Sequence, residues 1–229
     1  MRRESVGHLP LSVAIITLNE EEDLPRCLES VRELSSEIVV IDSGSTDATA
    51  DVARRFGAKF EAHEWEGYAA QKNYAMSRCA GPWILCLDAD EAVSPEMDAA
   101  IRGVFAKGEP SENGFFVNRR SFFLGDWIRH AWNPEWRLRL ARKEKATWVG
   151  APVHERLDVE GSSGKISGNL LHYPFRNLED NLWRQIKYAR IVAEEKMRQK
   201  KRFRWYQLVL YPWLEFFKRL IAKQAWRDG

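Results

Sequence analysis

Residues 12–47 read SVAIITLNEEEDLPRCLESVRELSSEIVVIDSGSTD. Ser12-Val13-Ala14-Ile15-Ile16-Thr17-Leu18 is a short β-branched run, which predicts a buried strand. After it, Leu24, Cys27, Leu28, Val31 and Leu34 fall at helical spacing. Glu37-Ile38-Val39-Val40-Ile41 predicts a second strand, and it ends in the polar loop Asp42-Ser43-Gly44-Ser45-Thr46-Asp47. Strand, helix, strand within 36 residues is the unit of a mostly parallel, doubly wound α/β sheet.

The alternation continues outward. Asp47 can cap a helix running to Phe56, and Gly57 suits its end. Lys59 to His63 is a weaker third strand, and Gly67 to Arg78 reads as helix. Trp83-Ile84-Leu85-Cys86-Leu87 is a fourth strand that ends at Asp88-Ala89-Asp90. Ser94-Pro95-Glu96 opens a further helix, with Ser as cap and Pro at the first helical position. The polar clusters near Asn19, Asp42 and Asp88 each follow the carboxyl end of a strand. In open α/β sheets ligands bind outside those ends, so pattern alone brings the clusters to one edge.

Beyond Lys107-Gly108-Glu109-Pro110 the character changes. Residues 113–173 are rich in aromatics and glycines and are expected as irregular strands and loops covering the first half. Asn177 can cap a long helix from Leu178 to about Gln199. A second helix is expected from Tyr206 to about Ala222, bent at Pro212. The chain therefore divides into a strand-and-helix body, residues 1–175, which carries all three clusters, and a basic amphipathic helical tail, residues 176–229.

Charge supports that division. The formal net charge is only +2, which does not suggest a nucleic-acid binder. Residues 176–229 hold 14 Lys+Arg against 6 Asp+Glu, a net of +8, and residues 1–175 carry 21 against 27, a net of −6. An acidic body joined to a basic tail suggests that the tail meets an anionic surface. Cys27, Cys79 and Cys86 show no CxxC spacing, which argues against a disulfide framework or zinc site and fits a reducing compartment. Met1-Arg2-Arg3-Glu4 is basic without the apolar stretch of a signal peptide. No run of about 20 apolar residues predicts a simple transmembrane helix.

Asp88-Ala89-Asp90 is the sharpest local feature. Two carboxylates at i and i+2 past a buried strand aim at one opening. Mg²⁺ or Mn²⁺ takes such hard oxygen ligands together with phosphate oxygens. A diphosphate leaving group needs its charge neutralised as its bond breaks. A solvated acidic turn or a helix cap reads the same three residues equally simply. Asp42 and the hydroxyls after it can accept hydrogen bonds from a base N–H and ribose, although Asp47 alone also reads as an N-cap. Asn19-Glu20-Glu21-Glu22 ends the first strand, and its acids also suit a helix dipole. Lys72, in Gln71-Lys72-Asn73, can reach a phosphate or sit on the surface.

A sugar transfer with inversion needs one carboxylate to deprotonate the acceptor hydroxyl. Val153-His154-Glu155-Arg156 is the candidate region; Glu155 could instead pair with Arg156 or Arg137. In the tail, Arg198-Gln199-Lys200-Lys201-Arg202-Phe203-Arg204-Trp205 is a basic run ending in an aromatic. Basic residues beside Trp and Phe suit an anionic bilayer interface, or a helix packed on the body or on a second subunit.

Val13-Ala14-Ile15-Ile16-Thr17-Leu18-Asn19-Glu20, Val39-Val40-Ile41-Asp42-Ser43-Gly44-Ser45-Thr46-Asp47 and Leu87-Asp88-Ala89-Asp90-Glu91, in this order, resemble the family 2 glycosyltransferases, inverting enzymes of the Rossmann-like GT-A fold. Gly67-Tyr68-Ala69-Ala70-Gln71-Lys72-Asn73-Tyr74-Ala75, Trp148-Val149-Gly150-Ala151-Pro152-Val153-His154-Glu155 and Leu171-His172-Tyr173 are similar to the bacterial lipopolysaccharide-core β-1,4-glucosyltransferase subfamily. The resemblance implies a UDP-sugar donor, glucose by preference, and a lipid-linked, heptose-containing glycan acceptor. It implies nucleotide-sugar contacts at Thr17, Asn19, Glu20, Asp42, Ser43 and Lys72. It implies ribose and metal–diphosphate contacts at Asp88-Ala89-Asp90, with Mg²⁺ or Mn²⁺ on Asp90 and Asp88. Glu155 becomes the catalytic base, with His154 beside it, and Arg137 steadies the diphosphate. The expected place of work is cytoplasmic and peripheral at the inner membrane. Asp42-Ser43 stands where the wider family commonly has Asp-Asp. Relatives are also expected to continue through another carboxyl-terminal segment. The rival activity, sugar nucleotidyl transfer, would need a Gly- and basic-rich loop after the first strand, where this chain is acidic. A non-catalytic nucleotide-sugar-binding protein of the membrane surface is the alternative from another class.

Overall fold

The computed structural model describes residues 7–106, 108–150, 155–175, 177–200, 202 and 204–228. The amino-terminal Met1-Arg2-Arg3-Glu4 and the His154 expected beside Glu155 lie outside them. The chain forms two compact units. One comprises residues up to Arg119 and Trp136–His172; the other comprises Arg120–Glu135 and the chain from Tyr173 onward.

The first unit starts with β1 (Leu9–Thr17), α1 (Leu24–Val31), β2 (Ser35–Asp42), α2 (Thr49–Arg55), β3 (Lys59–Ala62), α3 (Tyr68–Arg78) and β4 (Trp83–Asp88). The expected alternation is present, and β1 pairs in parallel with both β2 and β4 while β2 pairs in parallel with β3. The apolar runs predict buried strands because both faces of this sheet are covered. Val13 and Ile15 pack in one cluster with Leu24, Cys27, Leu28 and Val31 of α1, whereas Ala14 packs on the other side with Ala75 and Met76 of α3. Fully burying Leu24, Leu28 and Val31 stabilises α1 by roughly 1.5–3 kcal/mol per side chain. The second helix starts later than expected. Ala48 holds the N-cap position, and Asp47 accepts the Thr49 amide at 3.0 Å and the Glu21 amide at 3.2 Å.

The next elements are β5 (Glu91–Val93), α4 (Pro95–Phe105), β6 (Gly114–Phe123), β7 (Asp126–Trp127), β8 (Trp136–Arg142), β9 (Ala146–Val149), β10 (Arg156–Val159) and β11 (Ser163–His172). Ser94 caps α4 as predicted, its hydroxyl accepting from the Met97 amide at 3.2 Å. The expectation of irregular strands over residues 113–173 is corrected. Strands β6, β8 and β11 run for 7–10 residues each and join the same sheet, in the order β3-β2-β1-β4-β8-β6-β11-β5, with one register shift at Phe115/Phe116 in the pairing of β6 with β8. Strand β8 runs antiparallel to β4 and β6 runs antiparallel to β8, so a parallel half is followed by an antiparallel half. A separate hairpin of β9 and β10 places Trp148 and Leu157 in the core on the α3 side.

Strand β6 carries the chain into the second unit, where Phe122 and Phe123 pair with Trp127 and Asp126 of β7. That unit also holds α5 (Leu178–Arg198) and α6 (Trp205–Phe217). Asn177 accepts the Asp180 amide at 2.8 Å, as an N-cap should. Past Phe217 the helix widens into one π-turn, Lys218–Ala222.

Candidate active site

Three polar side chains end three adjacent strands. Thr17 pairs in register with Asp42, and Ile16 with Asp88, so the carboxyl ends of β1, β2 and β4 line up. Asp42 is buried and fully engaged: it accepts from Thr17 Oγ1 at 2.9 Å and from the amides of Gly44 at 2.9 Å and Ser45 at 2.7 Å. These bonds fold the loop after β2 back over the strand end. Asn19 has φ 57°, a left-handed backbone that suits Asn. Its amide donates to Ser45 Oγ at 2.7 Å and its Oδ1 accepts the Thr46 amide at 2.9 Å. The Glu20 amide donates to Thr49 Oγ1 at 2.8 Å. The two loops are thus joined before any ligand arrives.

One turn of α3 ties the rest together. Gln71 donates to Ser43 Oγ at 3.0 Å, and Asn73 clips the backbone of Trp148, giving and taking one bond of 2.9 Å each. Between them Lys72 is 6% exposed, so it is not a surface lysine. Its Nζ lies 2.9 Å from Asp88 Oδ1, 3.1 Å from Glu155 Oε1 and 4.4 Å from the centre of the Trp148 ring. Desolvation makes an isolated buried ammonium costly; two carboxylates and an aromatic face compensate here. Glu155 therefore does pair, but with Lys72, while Arg156 turns to Asp158 at 2.9 Å.

A second buried cation completes the cluster. Arg139 is 4% exposed, and its Nη2 reaches Asp88 Oδ2 at 2.9 Å and Glu91 Oε1 at 2.6 Å. Arg119 lies 3.6 Å from the same Glu91 oxygen. Burial opposes ionisation of Asp88, but Lys72 and Arg139 outweigh it and hold its carboxyl well below the usual carboxylate range. Burial likewise disfavours the Arg139 cation, and Glu91 with Asp88 more than restores it. Arg137, expected on the diphosphate, is exposed on β8. Two residues further along that strand, on the same face, Arg139 reaches the site. Spacing gave no reason to prefer Arg139, because its partners, Asp88 and Glu91, come from the end of β4 and the start of β5.

Asp90 stands apart from this cluster. Its Oδ2 lies 3.5 Å from His172 Nε2 at the end of β11. Ala89 between the two aspartates is buried in the core and anchors the turn. Asp88 thus has both oxygens on cations, while Asp90 offers a hard carboxylate donor beside an imidazole. Among the described residues no group of three or more His, Cys, Asp or Glu forms a ready cage for a metal. A single carboxylate fits Mg²⁺ or Mn²⁺, which commonly take their other ligands from phosphate oxygens and water. Burial pushes the thiols of Cys79 up to about 12 and Cys86 up to about 11, and raises Cys27 well above its ordinary value. All three are free and buried, so none is a nucleophile at neutral pH.

A family model described as glycosyl transferase family 2 matches residues 12–157. The lipopolysaccharide core biosynthesis glycosyltransferase LpsC of Rhizobium meliloti is 33% identical over an alignment covering 98% of this chain and 85% of that protein. An uncharacterized glycosyltransferase of Rickettsia typhi is 29% identical, over 86% of this chain and 72% of its own length. Among solved structures, that of S. aureus TarS 1-349 aligns with TM-score 0.46 and 16% identity, covering 59% of this chain and 47% of that one.

Proposed function

The chain belongs to glycosyl transferase family 2, with the Rossmann-like GT-A fold, and we propose that it moves a hexose, glucose by preference, from a UDP-sugar to a lipid-linked glycan of the lipopolysaccharide core. The observation that carries the mechanism is Lys72. It joins Asp88, at the end of β4, to Glu155, 83 residues away along the chain from Lys72 itself. The candidate base and Asp88 therefore face one cation. In this reading the loops after β1 and β2, with Thr17, Asn19, Glu20, Asp42 and Ser43, hold the nucleoside. Lys72 draws on the donor diphosphate, and Arg139 keeps Asp88 in place.

Asp90, helped by Asp88, would hold Mg²⁺ or Mn²⁺, which would supply charge neutralisation to the leaving UDP. Glu155 accepts the proton of the acceptor hydroxyl. That oxygen forms its bond to the anomeric carbon as the bond from that carbon to the diphosphate oxygen breaks, and UDP departs with inversion at the carbon. Lys72 must loosen its hold on Glu155 for this step, and the arriving diphosphate is the anion that competes for the ammonium. A lipid-linked acceptor places the work at a membrane surface, cytoplasmic and peripheral.

The test is hydrolysis of a panel of UDP-sugars with Mg²⁺ or Mn²⁺, read as released UDP. UDP-glucose should be the fastest. Release from none of them, together with no UDP binding by calorimetry, would overturn the reading in favour of a non-catalytic protein.

A further inference from the structure

We propose that α6 is a lipid-inserting helix and that the basic residues bracketing it meet anionic phospholipid headgroups. The inference draws on the proposed function only for why a membrane matters; the contact itself stands on this helix. Burial in α6 is inverted. Gln207 is its one half-buried residue, and every other residue is exposed, including Trp205 at 75%, Leu208 at 71% and Trp213 at 60%. Thirteen residues, of which only Gln207 and Glu215 lack an apolar or aromatic body, bury nothing in their own unit.

The angular spread of those side chains selects the partner. At 3.6 residues per turn, Phe216, Trp205, Val209, Trp213, Phe217, Leu210 and Leu214 sweep about half of the circumference, and Leu208 widens the arc to roughly two thirds. A helix packed on one side of a folded body carries an apolar stripe of about 100° or more, and one apolar over most of its circumference is enclosed by a large core or by lipid. The cationic flanks decide between the two in favour of lipid. Glu215, the one charged side chain of α6, is held by Lys218 at 3.0 Å and Arg219 at 3.7 Å, which lessens the cost of bringing it near lipid.

The flanks fit the same surface. Arg198, Lys200, Arg202 and Arg204 precede α6, and Lys218, Arg219 and Lys223 follow it. Trp205 and Tyr206 stand at one end, and Trp213, Phe216 and Phe217 at the other. Amphipathic aromatic rings next to cationic side chains favour the headgroup level of an anionic bilayer. The helix is about 20 Å long, too short for a hydrocarbon core of about 30 Å. No helix among the described residues is long and apolar enough to cross a membrane. It lies in the interface instead.

The test is flotation of the full chain with vesicles of phosphatidylcholine alone or mixed with phosphatidylglycerol. The protein should float with the mixed vesicles only, and added salt should release it. Arg202→Glu with Arg204→Glu should weaken binding at least about tenfold, given about fivefold for each basic residue removed. Trp213→Ser with Phe217→Ser should abolish flotation while circular dichroism and UDP release stay at the parent level. Three results overturn the proposal: no flotation of the parent, equal flotation on neutral vesicles, or flotation that survives Trp213→Ser with Phe217→Ser. A dimer in vesicle-free solution that Trp213→Ser dissolves, with no flotation, assigns α6 to a second copy instead. Absent UDP release from the parent sinks the transferase reading and leaves the flotation result standing.

Discussion

At the scale of single residues, the site is a balance of charge built around Asp88. Lys72 and Arg139 each take one of its oxygens, and each holds a further carboxylate, Glu155 and Glu91. This arrangement distinguishes Asp88, held by two cations, from Asp90, beside His172, which the motif alone does not. Glu155→Gln should keep the affinity for UDP in calorimetry and lower transfer by about 10²–10⁴, the range of a lost general base. Loss of UDP affinity instead would make Glu155 a binding or structural residue. Asp90→Asn should remove the metal dependence of UDP release while the thermal midpoint stays near the parent value; full metal-dependent turnover in that variant would refute the assignment. Asp42, Asp88 and Asp90 were legible in the sequence because each sits at or just beyond an apolar strand. Arg139 was not, and His172 was legible as part of a motif but not as the neighbour of Asp90. They lie in β8 and β11, and antiparallel pairing brings them beside residues about 50 and 80 positions earlier.

At the scale of elements, the same contrast holds. The parallel half was legible because strands covered on both faces read as apolar runs, and helices between them keep a 3.6-residue period. The antiparallel half was not. Phe115 and Val117 alternate with half-buried residues along β6, and β5 is only three residues long. Strand β11 crosses α4 so closely that pairing, not local preference, decides its path. Gly168 there has φ 85°, and a Cβ on it would lie 2.3 Å from the Met97 amide nitrogen and 2.6 Å from its Cα. The Ser94 amide donates to Asn169 O at 3.1 Å, which fixes the crossing. Gly168→Ala should therefore cost roughly 2–4 kcal/mol, combining overpacking with a left-handed backbone. Chemical denaturation measures this; a change below about 0.5 kcal/mol, the scale of an ordinary surface substitution, would mean the strand can move away from α4.

At the scale of the whole molecule, the parallel sheet is secured at the edge opposite the site by one carboxylate. Glu37, on β2, accepts from Ser12 Oγ of β1 at 2.6 Å and from the Ala80 amide ahead of β4 at 2.7 Å, and it pairs with Lys59 of β3. Burial works against its charge, but those bonds prevail and lower its pKa from 4.5 to about 2. The unfolded chain then takes up a proton in a pH range where the folded chain does not. Stability from Glu37 is complete above the unfolded value of 4.5, falls as pH drops from there, and is gone below about 2. Asp88 shifts in the same direction, and so does Asp228 of the second unit, lowered to about 2: burial opposes its charge, but the Ala131, Arg129 and His130 amides and the His130 ring hold it ionised. Because the units are distinct, their acid transitions need separate probes. Glu37→Gln should lower the urea midpoint of the first unit near pH 7 and leave it close to the parent near pH 2, so the two curves converge in acid. A gap of equal size at both pH values would show that Glu37 acts through shape rather than charge.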